Sequence, residues 1–135
     1  MIELKTSRIG ETFDRFAFTI EKGKVKELAA AIGDNHPSYE TGEHMPPTIA
    51  TVIDLWGGQV SYGQLLGLNL KKVLYGEQTY EYIKNIRVGD EITVTTAIVD
   101  VQSKKAMDIY KVKREYKNQY GELTMVGYTS IIERH

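Results

Sequence analysis

The chain has 135 residues, of which 41% are apolar and 26% charged, a composition that excludes a disordered segment and fits a folded domain. Lys and Arg number 17 against 18 Asp and Glu, so the formal charge of −1 gives no electrostatic footprint for nucleic acid or an anionic membrane surface. The absence of cysteine rules out disulfides, thiol catalysis and Cys-ligated zinc.

The length suits a single domain, 1–135, with one real core. The opening MIELKTSRIGETFDRF carries no apolar leader, and no apolar run reaches membrane length, so a cytoplasmic protein is expected. Nine of the thirteen aromatic residues are Tyr, which suits strands and surfaces that are partly wet.

Aromatic and β-branched residues from Phe13 to Ile20 predict a short strand. Val25, Leu28, Ala29 and Ile32 then recur at i, i+3, i+4 and i+7, one apolar stripe of a helix that Gly33 is placed to end. Asp34 to Met45 reads as polar loop. Pro46-Pro47 opens a second helix, with Ile49, Val52, Ile53 and Trp56 on one stripe and Ala50 and Leu55 widening it, the pattern of a buried helix. Gly57-Gly58 would stop or bend it, or let a ligand or partner backbone approach, and residues 60–68 can add a further short helix.

From Lys72 onward the period is that of strands, about 73–85, 91–102, 105–117 and 122–133, separated by turn residues such as Val88-Gly89-Asp90. Short connections predict an antiparallel meander. Its covering element would be the helix from Pro47 to Trp56, so the expected class is α+β, the hot-dog fold: an antiparallel sheet wrapped around a central helix. Such a sheet leaves an edge uncovered, and pairing of two domains is the usual remedy.

Two stretches carry a resemblance. Residues 28–39, LAAAIGDNHPSY, followed by Pro46-Pro47-Thr48, and residues 73–92, VLYGEQTYEYIKNIRVGDEI, resemble the MaoC-like dehydratases and R-specific enoyl hydratases. The likeness is closer to the FAS1-type N-terminal half-domain of fused double-hot-dog members and to the accessory subunit of (3R)-hydroxyacyl-carrier-protein dehydratases. It extends from about Phe16 to Ile132.

Catalytic members carry G-D-x-N-P-x-H, in which Asp and His share the water added to or removed from an enoyl thioester. Here that register reads Gly33, Asp34, Asn35, His36, Pro37, Ser38, Tyr39. Tyr39 stands in place of the histidine, and a phenol that ionises near pH 10 replaces an imidazole poorly at neutral pH. The resemblance therefore implies a non-catalytic subunit that binds an acyl-CoA or acyl-carrier-protein thioester. It would act as a homodimer or as a heterodimer with a catalytic MaoC-like partner, without a cofactor. The substrate-binding set it implies is Asp34, Tyr39, Pro47, Thr48, Tyr75, Gly76 and Gln78, with the backbone after Pro47 facing the thioester oxygen. Tyr75 stands where relatives have a His before Gly-Glu-Gln.

Alternatives remain open. An active hydratase would use Asp34 with Tyr39 or His36, and a thioesterase would use Asp54, an isolated carboxylate on an apolar helix that otherwise reads as a surface or interface charge. Asp34 can equally organise the turn after Gly33. A binding or assembly module without thioester chemistry is the third reading. His36, His44, Glu40 and Glu43 match no recurrent metal spacing, so no metal is expected. Gly76 reads as a bulge or a close approach, and Gln78 as a residue that pairs across a subunit interface. His135 is expected to fray. Lys104, Lys105, Lys111, Lys113, Arg114 and Lys117 read as a solvated or edge-strand face, or as a docking surface for coenzyme A phosphates or an acidic carrier protein.

Overall fold

Five strands form one antiparallel sheet in the computed structural model, which describes residues 7–54 and 61–135. They are β1 (Thr12–Thr19), β2 (Val73–Tyr82), β3 (Glu91–Ser103), β4 (Met107–Lys117) and β5 (Leu123–Arg134), in the spatial order β1-β3-β4-β5-β2. The helices are α1 (Lys22–Ile32), α2 (Pro37–Thr41), α3 (Ile49–Val52) and α4 (Tyr62–Leu65), with a 3₁₀ turn over Leu70–Lys72.

The strand alternation seen in the sequence sorts side chains as expected. On β3, Ile92, Val94, Thr96 and Ile98 point inward, and on β4 so do Tyr110, Val112, Arg114 and Tyr116. The expected meander holds only for β3-β4-β5. β2 is not beside β3 but at the far edge, paired with β5, so residues 83–90 carry the chain back across about 14 Å of sheet rather than through a tight hairpin.

Two core clusters cover the inner face. Ile49, Ala50 and Ile53 from the α3 region meet Phe18, Val25, Ile92, Val94, Tyr116 and Met125 in the first. Tyr62 and Leu66, from α4 and its end, meet Ile98, Tyr110, Val112 and Ile131 in the second. The sheet is thus covered by two short helical pieces in the α+β hot-dog arrangement. Of the predicted central helix, α3 and a wider turn at Ile53 and Asp54 are described; Leu55, Trp56, Gly57 and Gly58 lie outside the described residues.

Gly33 ends α1 in the left-handed conformation, φ 71°, with its N–H directed at the carbonyls of Ala29 and Ala30. Val25 and Ala29 are buried, but Ile32 at the end of the stripe is 47% exposed because the last turn runs past the core. The stretch expected to be plain loop contains α2, one turn started by Pro37 and capped by His36 Nδ1, which accepts from Ser38 N–H at 3.2 Å.

Candidate functional site

The loop that ends α1 brings two of the predicted site residues together. Asp34 N–H closes off the helix end by donating to Ala29 O, five residues back, at 2.9 Å. Its carboxylate accepts from His36 N–H at 3.3 Å through Oδ1 and from the Tyr39 hydroxyl at 3.2 Å through Oδ2. Partial burial, then the bond to Asp34 and its charge, push the Tyr39 phenol upward, so it stays protonated and serves as a donor. His36 does not join the pair by its side chain. Its Nδ1 lies 2.7 Å from Ser38 Oγ and is committed to capping α2, while the ring tilts against Tyr39 at 5.7 Å. Lys26, Ala30 and Glu40 complete a surface groove around Asp34, His36 and Tyr39.

That arrangement holds a carboxylate and a phenol, and among the described residues no imidazole contacts Asp34. Water activation by an acid and a base that share one molecule needs groups that exchange protons near neutrality. A phenol raised above its ordinary value is further from that range than an unperturbed one.

The second constellation lies inside the fold. Asp54 sits just beyond α3, where its Oδ1 accepts from Arg114 Nη1 at 3.0 Å and the Tyr116 hydroxyl at 2.5 Å, and its Oδ2 from the Tyr80 hydroxyl at 2.8 Å. The two charged side chains are only 10% and 5% exposed. Asp54 is therefore no surface charge, and the partner that an Asp on an apolar helix needs is Arg114. The guanidinium also donates through Nε to Thr96 Oγ1 at 3.0 Å and lies 4.3 Å from the centre of the Tyr62 ring.

Burial, which would lower the Arg114 guanidinium, is outweighed by Tyr62 and Asp54. Burial and then the Asp54 charge push Tyr80 and Tyr116 upward, and Tyr62 up to about 12. All three phenols stay protonated as donors or ring neighbours. A carboxylate that accepts three hydrogen bonds, one from a guanidinium, has little lone-pair density left to attack a thioester or take a proton from water.

The remaining predicted residues are spread along β2 and the start of α3. The Pro47 carbonyl accepts from the Tyr82 hydroxyl, and Thr48 precedes α3 without a side-chain cap. Tyr75 is 58% exposed with its ring against Tyr62. Gly76 sits at a bulge in the β2–β5 ladder, where an added Cβ would come within 2.9 Å of Ile132 Cδ1. Gln78 Oε1 accepts from the Thr129 hydroxyl of its own chain. No hydrogen bond or ring contact joins these residues to Asp34 or Tyr39 among the described residues.

Several sequence expectations change. Arg114 leaves the basic cluster because its parity on β4 points it inward, and β4 is the middle strand of the sheet rather than an edge. Lys111 lies over the Tyr128 ring and Lys113 reaches Glu115 at 3.7 Å on the opposite face. His135 is tied down: its N–H donates to Ala106 O at 2.9 Å, and its Nε2 lies 3.1 Å from the buried Asp108 Oδ1, to which Ser103 also donates at 2.5 Å. Among the described residues, no three His, Asp or Glu side chains gather as a metal site. No helix among them is long and apolar enough to cross a membrane.

Residues 7–126 match the model of the FAS1-like dehydratase domain region. The chain belongs to this family. A UPF0336 protein of Streptomyces griseus is 30% identical to this FAS1-like dehydratase domain over 143 residues, covering 97% of this chain and 95% of the relative. Among solved structures, the C-terminally truncated HadBC (3R-hydroxyacyl-ACP dehydratase) complex of Mycobacterium tuberculosis is similar with a TM-score of 0.78 and 21% identity, over 95% of this chain and 98% of the other. A MaoC-like dehydratase of Phytophthora capsici is similar with a TM-score of 0.77 and 13% identity, over 96% of this chain but 50% of its own. The FAS1-like domain thus has the hot-dog fold of the dehydratases and spans half the length of the longer one.

Proposed function

We propose that this domain is the acyl-thioester-holding, non-catalytic subunit of a hydratase or dehydratase acting on (3R)-hydroxyacyl or enoyl thioesters, completed by a MaoC-like partner that carries the catalytic histidine. The observation that carries the reading is the pair Asp34 and Tyr39: the phenol occupies the histidine's place in the motif and donates to the carboxylate at 3.2 Å. The pair closes on itself instead of presenting a water with a base and an acid. Support for a partner comes from the likeness to one chain of a two-component dehydratase and to half of a longer MaoC-like chain.

The heavily bonded Asp54 carboxylate weighs against the thioesterase reading, since Arg114, Tyr116 and Tyr80 already take three of its about four acceptor positions. The test is hydration of a panel of enoyl-CoA thioesters by the purified domain, with thioester cleavage followed in the same samples. The expected result is neither hydration nor cleavage, together with a rise in melting temperature on adding an acyl-CoA, because a ligand that binds the native state alone stabilises it. Hydration abolished by Asp34→Asn would instead make this an enzyme in its own right. Cleavage abolished by Asp54→Asn would move the chemistry to the buried carboxylate.

A further inference from the structure

The inner face of the sheet is divided by one polar row. Thr96 of β3 pairs with Arg114 of β4, Arg114 with Gly127 of β5, and Gly127 with Tyr80 of β2, so the four positions lie in line across the strands. Val94, Tyr116 and Met125 of the first core cluster lie on one side of the row, and Ile98, Val112 and Ile131 of the second on the other. Asp54 closes the row from the helical side through its bonds to Arg114, Tyr116 and Tyr80. Glycine at 127 makes room for this: an added Cβ would come within 3.1 Å of the Tyr80 ring and 3.4 Å of the Tyr116 ring, two rings that meet edge to face.

On the first cluster's side, a surface groove of about 300 Å³ opens between the start of α3 and the end of β2. That is the low end of the volumes that hold small ligands. Its apolar part comes from Pro46, Ile49, Tyr82, Ile83 and Ile86, and its polar part from Lys84 and Asn85. Ile49 and Ile86 are buried members of the first core cluster and form the floor, while the half-exposed Lys84, paired with Glu122, stands at the mouth. Apolar at depth and polar at the mouth, the groove matches an acyl chain that enters ahead of its carrier. From Tyr82 to Tyr80 along β2, and from Ile49 to Asp54 along the helix, the polar row is about 7 Å away. An extended chain advances about 1.2 Å per bond, so about six bonds bring it to Tyr80 and Asp54. To go further it would have to turn the Tyr80 ring aside and leave a buried carboxylate short of a donor, against methylene groups.

We propose that Tyr80, Asp54 and Arg114 are the specificity-determining residues of the acyl site, an end wall that restricts this chain to thioesters of short acyl groups, about six carbons long. The inference rests on the acyl-thioester reading of the domain and adds to it the class of acyl group held. The wall is polar rather than merely bulky. An apolar end can repack around one more methylene, whereas a bonded ion pair loses a donor whenever hydrocarbon is admitted.

Calorimetric titration of the purified chain with saturated acyl-CoA thioesters, from acetyl to dodecanoyl in two-carbon steps, reads the limit directly. Each methylene buried in the groove tightens binding about fourfold. Affinity is expected to climb at that rate to hexanoyl and to level off by octanoyl. A climb that continues to dodecanoyl, or a series flat from acetyl onward, would overturn the wall. No binding of any member would end the acyl-thioester reading itself, and the wall with it. Asp54→Leu combined with Arg114→Met removes both buried charges together and carries the climb to decanoyl, which then binds roughly tenfold tighter than it does to the wild-type chain. Tyr80→Phe keeps the ring and the ion pair but frees the ring to swing aside, and it moves the levelling-off by one step of the series. Levelling-off at the same chain length in Tyr80→Phe and in the wild type would place the stop elsewhere and overturn the assignment to these residues.

Discussion

The group with most at stake energetically is Arg114, which is 4% exposed and faces Asp54 across the helix–sheet boundary. Taking away one member of a buried ion pair strands the other, a loss of about 3–5 kcal/mol, whereas replacing both charges costs much less. Arg114→Met is therefore expected to lower unfolding stability by that amount in urea titrations, and Asp54→Asn combined with Arg114→Met to recover most of it. Equal stability of the single and double variants would show that the pair is not coupled. Half of this pair was legible: an Asp on an apolar helix announces a missing partner. Arg114 was hidden by its lysine neighbours, although strand parity placed it with Tyr110, Val112 and Tyr116 rather than with Lys111 and Lys113. Tyr80, Tyr116 and Thr96 could be found only after the inward face of three different strands was known. The Asp34–Tyr39 contact is more local, because the two residues are only five positions apart, on either side of the His36 cap of α2.

At the scale of elements, local chemistry decided what could be read. Turn residues and alternation placed every described strand from Val73 onward within a few positions, and Gly33 marked the end of α1 because only a left-handed residue fits there. Pairing order is a non-local property, so nothing in the segment 83–90 distinguished a hairpin from the crossing that sends β2 to the far edge. The role of α4 was also hidden. Four residues cannot show a helical period, yet Tyr62 and Leu66 supply the cover for the second core cluster. What holds so short a helix is its start: Ser61 Oγ accepts from Gln64 N–H at 3.3 Å, and Gln64 Oε1 accepts from Ser61 N–H at 3.0 Å. Ser61→Ala is expected to cost about 1 kcal/mol in thermal or urea unfolding, with the loss concentrated in the amides of Tyr62 to Leu66 by hydrogen exchange. A uniform loss of protection across the sheet would show that α4 does not open separately.

For the whole molecule, the buried phenols make alkaline pH the informative axis. Burial, reinforced by the Asp54 charge, moves Tyr62 from its ordinary 10.0 to about 12, and it drives Tyr80 and Tyr116 in the same direction. Above pH 10 the unfolded chain releases these protons while the folded one keeps them, so the unfolded state binds fewer protons and stability falls as pH rises. The Tyr62 contribution is intact below pH 10 and is lost as pH rises through its folded value near 12, at a limiting slope of about 1.4 kcal/mol per pH unit. Tyr62→Phe should therefore flatten the dependence of unfolding free energy on pH between 10 and 12, whatever constant offset the lost hydroxyl causes at neutral pH. Parallel curves for the two proteins would mean that Tyr62 ionises in the folded state as freely as in the unfolded one. That result would contradict the burial of Tyr62 in the second core cluster and its closeness to the Asp54 charge, the two leading causes that raise it.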